Sequence, residues 1–152
     1  MNFADINDIS IHFNYINNGA NKPAVVFSNS LGTDFRIWES CIENLSKDYS
    51  ILTYDKRGHG LSGLGNSPYV INDHVTDLID LMDHLKISEA VLVGLSVGGL
   101  VVQGVYHKRP DLVQGLILCD TAAKIGNEQM WNDRIAIARD GGLEALLEGN
   151  MQ

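Results

Sequence analysis

Short apolar runs alternate with polar or glycine-containing segments through most of the chain. Within residues 9–15, apolar and aromatic side chains alternate with polar ones, which is typical of a strand with one buried face. Four later runs are apolar on both faces and predict short buried strands: AVVFS (24–28), SILTYD (50–55), AVLVG (90–94) and GLILCD (115–120). Such strands are typical of a parallel sheet covered by helices on both sides.

Three segments between these runs have helical periodicity. The first, with Thr33 or Asp34 as its cap, has the apolar stripe Ile37, Trp38, Cys41, Ile42 and Leu45. The second, with Asn72 as its predicted N-cap, has the apolar stripe Val75, Leu78, Ile79, Met82 and Leu85. Its acids are expected to face solvent: Asp73, Asp77, Asp80 and Asp83. The third covers residues 97–109 and ends at Pro110, which cannot continue a helix.

The alternation of strands and helices predicts the fold class. It favours an α/β fold with a mostly parallel, doubly wound sheet and helices on both faces. The pattern changes after Asp120. There, residues 127–140 and 143–149 predict two short helices separated by a pair of glycines, and no further strand is predicted.

Charge and composition limit the partners. The 152 residues carry a net charge of −8, so we expect no nucleic-acid partner, which would need a dense basic surface. An anionic small molecule is still compatible, since one arginine in a pocket can reverse the local field. The two cysteines form no disulfide framework, and no zinc-type cluster occurs, so we expect no metal or other cofactor. Without a signal-peptide core or about 18 consecutive apolar residues, the sequence favours a cytoplasmic protein with no membrane partner.

The segment from Gly94 to Gly98 carries the main candidate for chemistry. Its sequence, Gly-Leu-Ser-Val-Gly, matches the G-x-S-x-G nucleophile elbow, with a strand predicted before it and a helix after it. The residues two before and two after the serine must be small because the sharp turn brings them together. Ser62 also follows a glycine by two positions, but Leu64 stands where the second glycine is needed. Ser96 is therefore the predicted nucleophile.

A nucleophilic serine needs an oxyanion hole, which is a pair of donors aimed at the developing negative charge. The backbone N–H of Val97, directly after the serine, is the first candidate donor. The second normally comes from the loop after an earlier strand, and the loop FSNSLGTD (27–34) follows such a strand. We therefore predict that the backbone N–H of Leu31 is the second donor, with Gly32 permitting close approach.

Four motifs together resemble the α/β-hydrolase family and, within it, the 3-oxoadipate enol-lactonases: SNSLGTD, YDKRGHGLS, VLVGLSVGGL and LILCDTAAKIG. The later stretch MWNDRIAIARDGGLEAL also resembles the entry to that family's lid. The resemblance implies hydrolysis of the ring ester of an enol-lactone to 3-oxoadipate, a step in bacterial breakdown of aromatic compounds. It also implies that residues 1–121 form the N-terminal part of the hydrolase core and residues 122–152 the start of a helical lid. Ser96, Leu31 and Val97 match the family's nucleophile and oxyanion-hole positions.

The resemblance covers the first half to two-thirds of such an enzyme. The family's triad acid and histidine follow further strands, so the core is expected to be incomplete at the C-terminus and the chain alone inactive or weakly active. The five histidines are expected to serve other roles: His12, His59, His74, His84 and His107. Asp120, after the last predicted strand, is an alternative acid. The uncovered edge of that strand is expected to promote self-association.

A chain with a net charge of −8 needs a local cation to hold the carboxylate of its substrate. We predict Arg134 as the residue that holds the substrate carboxylate, with Lys124 as the second candidate and Trp131 as a wall of the pocket. Two alternatives stay open: another carboxylesterase or carbon–carbon bond hydrolase of the same fold, and an incomplete module that binds its ligand without turnover.

Overall fold

A computed structural model describes residues 2–19, 23–142 and 144–148. The strands of this part of the chain are β1 (Asn2–Ile6), β2 (Ile9–Ile16), β3 (Ala24–Ser28), β4 (Ser50–Tyr54), β5 (Ala90–Leu95) and β6 (Val113–Cys119). The α-helices are α1 (Glu39–Leu45), α2 (Ile71–His84), α3 (Val97–Lys108), α4 (Glu128–Gly141) and α5 (Glu144–Glu148). Single 3₁₀ turns precede α1 (Phe35–Trp38) and β6 (Pro110–Leu112).

The described strands form one sheet in the order β1-β2-β4-β3-β5-β6. The pairs β4–β3, β3–β5 and β5–β6 are parallel, whereas β1 and β2 are antiparallel additions at one edge. The prediction of a mostly parallel sheet is confirmed. Strand β1 was not predicted, because its five residues contain only two buried apolar side chains, Ala4 and Ile6. Its register against β2, with Ala4 opposite Ile11, supplies the stabilising contacts.

Helices pack on both faces of this sheet, as predicted. On one face, Val26, Leu52 and Leu92 of the central strands join the apolar sides of α2 and α3 in the larger core. On the opposite face, Val25 and neighbouring strand residues pack against Trp38, which precedes α1. Adjacent residues of β3 thus serve opposite faces, which follows from the two-residue period of a strand.

Helix α2 differs from its prediction in two respects. The helix begins at Ile71, and the Asp73 carboxylate accepts a 2.8 Å hydrogen bond from the N–H of Val70, so Asn72 is not the N-cap. Asp77 is buried and not solvated: its two carboxylate oxygens receive Nε and Nη2 of Arg57 at 2.7 and 2.8 Å. The segment after β4 covers this side of α2, so the helix has a second buried face that its apolar stripe does not indicate.

The two predicted C-terminal helices are present as α4 and α5. The side chain of Asn127 caps α4 by accepting a 2.9 Å hydrogen bond from the N–H of Met130. No side chain of α4 is fully buried, in contrast to α2 and α3. Within the described residues, no helix combines the length and the apolar character needed to cross a bilayer.

Candidate active site

Ser96 lies at a tight turn between β5 and α3. Its φ of +54° falls in the left-handed region, which residues other than glycine rarely adopt. Hydrogen bonds hold this strained backbone on both sides: the Ser96 N–H donates to the Cys119 carbonyl at 3.0 Å, and the Ser96 carbonyl accepts from the Thr121 hydroxyl at 2.7 Å. Strain maintained by surrounding bonds is typical of functional positions.

The two glycines of the elbow are required by close backbone approach. A Cβ on Gly94 would lie 2.6 Å from the Gly98 carbonyl oxygen, and one on Gly98 would lie 2.0 Å from the carbonyl oxygen of Ser28. Both distances are shorter than real Cβ contacts. Gly98 thus allows the start of α3 to rest on the end of β3, and this contact places the loop after β3 beside Ser96.

That loop has an internal hydrogen-bond network. The Asn29 amide donates to the Thr33 carbonyl and, at 3.2 Å, to the Thr33 hydroxyl. The Thr33 hydroxyl in turn donates to the Ser30 carbonyl at 3.0 Å. Gly32 has a φ of +72°, so the turn needs a glycine there. These bonds constrain the backbone around Leu31.

A cavity of about 810 Å³ opens at the carboxyl edge of the parallel strands, where ligands of α/β sheets generally bind. Its lining includes Ser96, Val97, Leu31 and Trp131, so the structure brings four of the five predicted site residues together. The other lining residues are Tyr69, Val70, Ile71, His74, Leu100, Gln103, Ala123, Lys124 and Ile125. The walls are largely apolar, which is typical of small-molecule sites.

Arg134, the fifth predicted residue, is not among the lining side chains. Its guanidinium lies 5.8 Å from the centroid of the Trp131 ring, within the range of a cation–π contact. The Trp131 indole N–H donates to the Ile125 carbonyl at 2.8 Å, which fixes the ring against the cavity. Lys124, the second candidate cation, lines the cavity directly.

His74 falls on the polar side of α2 in a helical projection of the sequence, where a solvated side chain is expected, but the structure buries it. The side chain is only 9% exposed, lines the cavity, and has a buried Nδ1 without a hydrogen-bond partner. Burial lowers its pKa to about 4, and the charge of Lys56 adds to the effect. His74 is therefore neutral at pH 7. In the sequence, the nearby aromatic residue Tyr69 is the feature that could have indicated this burial. Its ring packs edge-on against the imidazole of His74, with 5.6 Å between the ring centroids.

A family model described as the alpha/beta hydrolase fold matches residues 23–140, which is well over half of the chain. The chain belongs to the α/β-hydrolase family. Ser96 accordingly occupies the strand-to-helix turn at which enzymes of this fold carry their nucleophile.

Enol-lactonases are among the α/β hydrolases that resemble the chain. The 3-oxoadipate enol-lactonase 2 of Acinetobacter baylyi is 40% identical over 91% of this chain and 52% of that protein. The 3-oxoadipate enol-lactonase 1 of the same organism is 36% identical over 87% of this chain and 49% of that protein. The crystal structure of the enol-lactonase from Burkholderia xenovorans matches with a TM-score of 0.92 at 38% identity, covering 97% of this chain and 57% of that one. The chain spans about half the length of the curated relatives it matches.

An α/β hydrolase also needs a histidine, oriented by a carboxylate, beside its serine. The structure contains one such pair away from the cavity: His12 Nδ1 lies 2.8 Å from Asp55 Oδ2, and both side chains are buried. Asp55 also accepts the N–H groups of Phe35 and Leu61, so this pair connects loops. His74 lines the cavity but lacks an orienting carboxylate, since Asp77 on the same helix is bound to Arg57.

The remaining histidines, and Asp120 as the alternative acid, lie outside the cavity lining. His59 is half-buried, with Nδ1 3.0 Å from the Arg57 carbonyl, while His84 and His107 are exposed. Asp120 directly follows β6, is exposed and has a φ of +44°. Among the described residues, no group of three or more His, Cys, Asp or Glu side chains could hold a metal ion.

Proposed function

We propose that the chain carries the nucleophile half of a serine hydrolase that opens the ring ester of 3-oxoadipate enol-lactone to give 3-oxoadipate, a step in the breakdown of aromatic compounds. One observation carries this proposal: Ser96, in a strained elbow, shares a cavity with both predicted oxyanion donors. Its similarity to enol-lactonases at 36–40% identity supports the choice of substrate.

In the proposed reaction, the Ser96 hydroxyl oxygen attacks the lactone carbonyl. The negative charge that develops on the carbonyl oxygen accepts hydrogen bonds from the N–H groups of Val97 and Leu31, assisted by the positive end of the α3 dipole. The C–O bond to the enol oxygen then breaks. Because an enolate is a weaker base than an alkoxide, this leaving group departs readily. It then takes up a proton at carbon, from water or from the protonated base that received the Ser96 proton, to give the ketone. Water then releases the acyl group from Ser96.

The proton of Ser96 needs a base, and His74 does not have the triad arrangement. We therefore propose that the 152 residues alone are inactive or turn over slowly. Removal of a triad still leaves about 10³–10⁴-fold catalysis over water in comparable enzymes, owing to the oxyanion hole and substrate binding. Weak activity is thus the expected result for this chain by itself.

We propose that the substrate carboxylate is held on the α4 side of the cavity. Arg134 is the first candidate because a guanidinium binds a carboxylate with two parallel hydrogen bonds. Trp131, which lines the cavity, would be a wall of the pocket beside it. Lys124 is the second candidate because it already lines the cavity. In this proposal, residues 1–121 form the N-terminal part of the core and residues 122–152 begin the lid.

Two further properties belong to the proposal. Cys41 and Cys119 are both free thiols, which suits a reducing compartment, and we place the protein in the cytoplasm. Strand β6 lies at one end of the described sheet, with Ile117 and Leu118 exposed at 51% and 46% on its two faces. An apolar edge strand of this kind favours self-association.

The test follows hydrolysis of the enol-lactone by its loss of absorbance. It compares the native protein that carries these residues with its Ser96→Ala variant. Ser40→Ala is the control, because Ser40 is a serine that lies exposed on α1, outside the cavity lining. We expect lactone turnover with the wild type and the control, and a loss of at least about 10³-fold with Ser96→Ala. Undiminished turnover by Ser96→Ala would exclude Ser96 as the nucleophile. Turnover of simple esters without turnover of the lactone would overturn the substrate assignment.

A further inference from the structure

Lys56 is a lysine buried almost completely in the interior, two residues after the end of β4. Only 1% of its surface is exposed, which is rare for a lysine unless its charge is satisfied. Its partners are two backbone carbonyl oxygens of the loop after β3: Nζ donates to Asn29 O at 2.7 Å and to Ser30 O at 3.2 Å. The ammonium therefore connects the end of β4 to the loop that contains Leu31.

The second of these bonds involves the same peptide group as the predicted oxyanion donor. The carbonyl of Ser30 and the N–H of Leu31 belong to one planar peptide, and in a trans peptide they point in opposite directions. The Ser30 carbonyl receives Lys56 Nζ and the Thr33 hydroxyl on its inner side. The Leu31 N–H must then point away from Lys56, and Leu31 lines the cavity that contains Ser96.

We infer that Lys56 is a positioning residue for the oxyanion hole: its buried ammonium holds the Ser30–Leu31 peptide in the orientation that presents the Leu31 N–H to the reacting carbonyl. This inference rests on the proposed function, which assigns the Leu31 N–H to the oxyanion. Lys56 itself does not touch the substrate.

A charged donor has a second effect on this peptide. A hydrogen bond to the carbonyl oxygen polarises the whole amide group, so the N–H on the other side becomes a stronger donor. Charge-assisted bonds are about twice as strong as neutral ones. The ammonium thus improves both the direction and the strength of the donor, and a neutral side chain at position 56 would provide neither.

Burial lowers the pKa of Lys56 to about 7, although the neighbouring carboxylate of Asp55 opposes the shift. The other titratable groups that interact with Lys56 are His59 and His74, and the pKa of each is lowered by burial and by the lysine charge. The two imidazoles are thus neutral where Lys56 titrates. The lysine is charged below pH 7 and becomes neutral above it, so the polarisation of the peptide should weaken as the pH rises through 7.

The sequence offers a specific probe of this peptide. Ser30–Leu31 is the only Ser-Leu dipeptide in the chain, so labelling with carbonyl-¹³C serine and ¹⁵N leucine gives a single carbonyl–nitrogen NMR cross-peak. Carbon detection keeps this signal visible at high pH, where amide protons exchange quickly. We expect the wild-type peak to move with a midpoint near pH 7 between pH 5.5 and 9. Lys56→Arg, which stays charged, and Lys56→Met, which has no charge, should both give a flat profile.

Lys47→Met is the matched control, because Lys47 lies exposed in the turn after α1. It should titrate as the wild type does. A wild-type peak that does not move, or one that moves identically in Lys56→Arg, would overturn the inference. The wild-type titration decides the matter even where a variant fails to fold, and it needs no turnover, so it is independent of the lactonase proposal.

A kinetic measurement on the native protein separates positioning from a merely structural role. We expect Lys56→Met to lower kcat for ester hydrolysis about tenfold with little change in KM, since the donor acts mainly on the transition state. The wild-type kcat should fall above pH 7 relative to Lys56→Arg. Equal pH profiles for the two proteins, or a change confined to KM, would contradict the assignment.

Discussion

Substitution of Gly98 by alanine tests whether the contact between α3 and the end of β3 organises the site. The new Cβ would lie 2.0 Å from the Ser28 carbonyl oxygen and 2.8 Å from that of Asn29. Restoring an ordinary contact of 3.4 Å requires a displacement of about 1.4 Å, and both neighbours are backbone atoms that cannot rotate away. Overpacking of this kind costs about 1–3 kcal/mol, which corresponds to a fall in Tm of roughly 2–12 °C for a chain of this size.

The same displacement separates the loop that carries Leu31 from the turn that carries Ser96. A misplacement of about 1 Å can reduce turnover on the order of 10²-fold. Gly115→Ala is the matched control, because a Cβ there meets no atom within 4 Å. Thermal unfolding and ester hydrolysis of the two variants should be compared with the wild type. A Gly98→Ala variant that matches Gly115→Ala in both measurements would refute the reasoning.

Three other predictions concern the substrate, acid stability and association. Arg134→Ala should raise KM for the lactone much more than for a neutral ester. If only Lys124→Ala shows this difference between the two substrates, the role belongs to Lys124. Equal changes in KM for the lactone and the neutral ester would reject a carboxylate site. Folding lowers the pKa of His74 from 6.5 to about 4. As the pH falls through this range, the unfolded chain binds a proton that the folded chain does not. The free energy of unfolding should therefore decrease by up to about 3 kcal/mol between pH 6.5 and pH 4. Denaturant titrations of His74→Phe should lack this contribution; an unchanged acid dependence would show that the imidazole is solvated. The 152-residue chain should self-associate in analytical ultracentrifugation, and Ile117→Lys on β6 should reduce the self-association. A wild-type chain that is monomeric at all concentrations would contradict this prediction.

The elbow could be predicted because its constraints are local. Two glycines at fixed spacing around Ser96, a strand before it and a helix after it are all visible in ten residues. The structure adds the reason for the spacing, which is the approach of Gly94 to Gly98 and of Gly98 to Ser28. Leu31 could be placed at the same edge as Ser96 because loops at the carboxyl ends of parallel strands share one edge of the sheet. Trp131, on α4, was expected there from the resemblance of its segment to the entry of a lid.

The buried polar groups could not be predicted from periodicity. Periodicity identifies one apolar stripe on α2, but the segment after β4 covers a second side of the helix and buries His74 and Asp77. Both residues look solvent-facing on a helical projection. Lys56 was missed for a related reason, since its carbonyl partners lie 26 and 27 positions earlier in the chain. Partners so distant in sequence are determined by the topology of the sheet.

We propose Ser96 as the activated nucleophile of the native protein. The most direct measurement is to treat the native protein with a fluorophosphonate, which bonds covalently to activated serines, and to map the adduct by peptide mass spectrometry. We expect one adduct, on Ser96, and none in the Ser96→Ala variant. An adduct on another residue such as Ser62, or labelling that persists in Ser96→Ala, would contradict it.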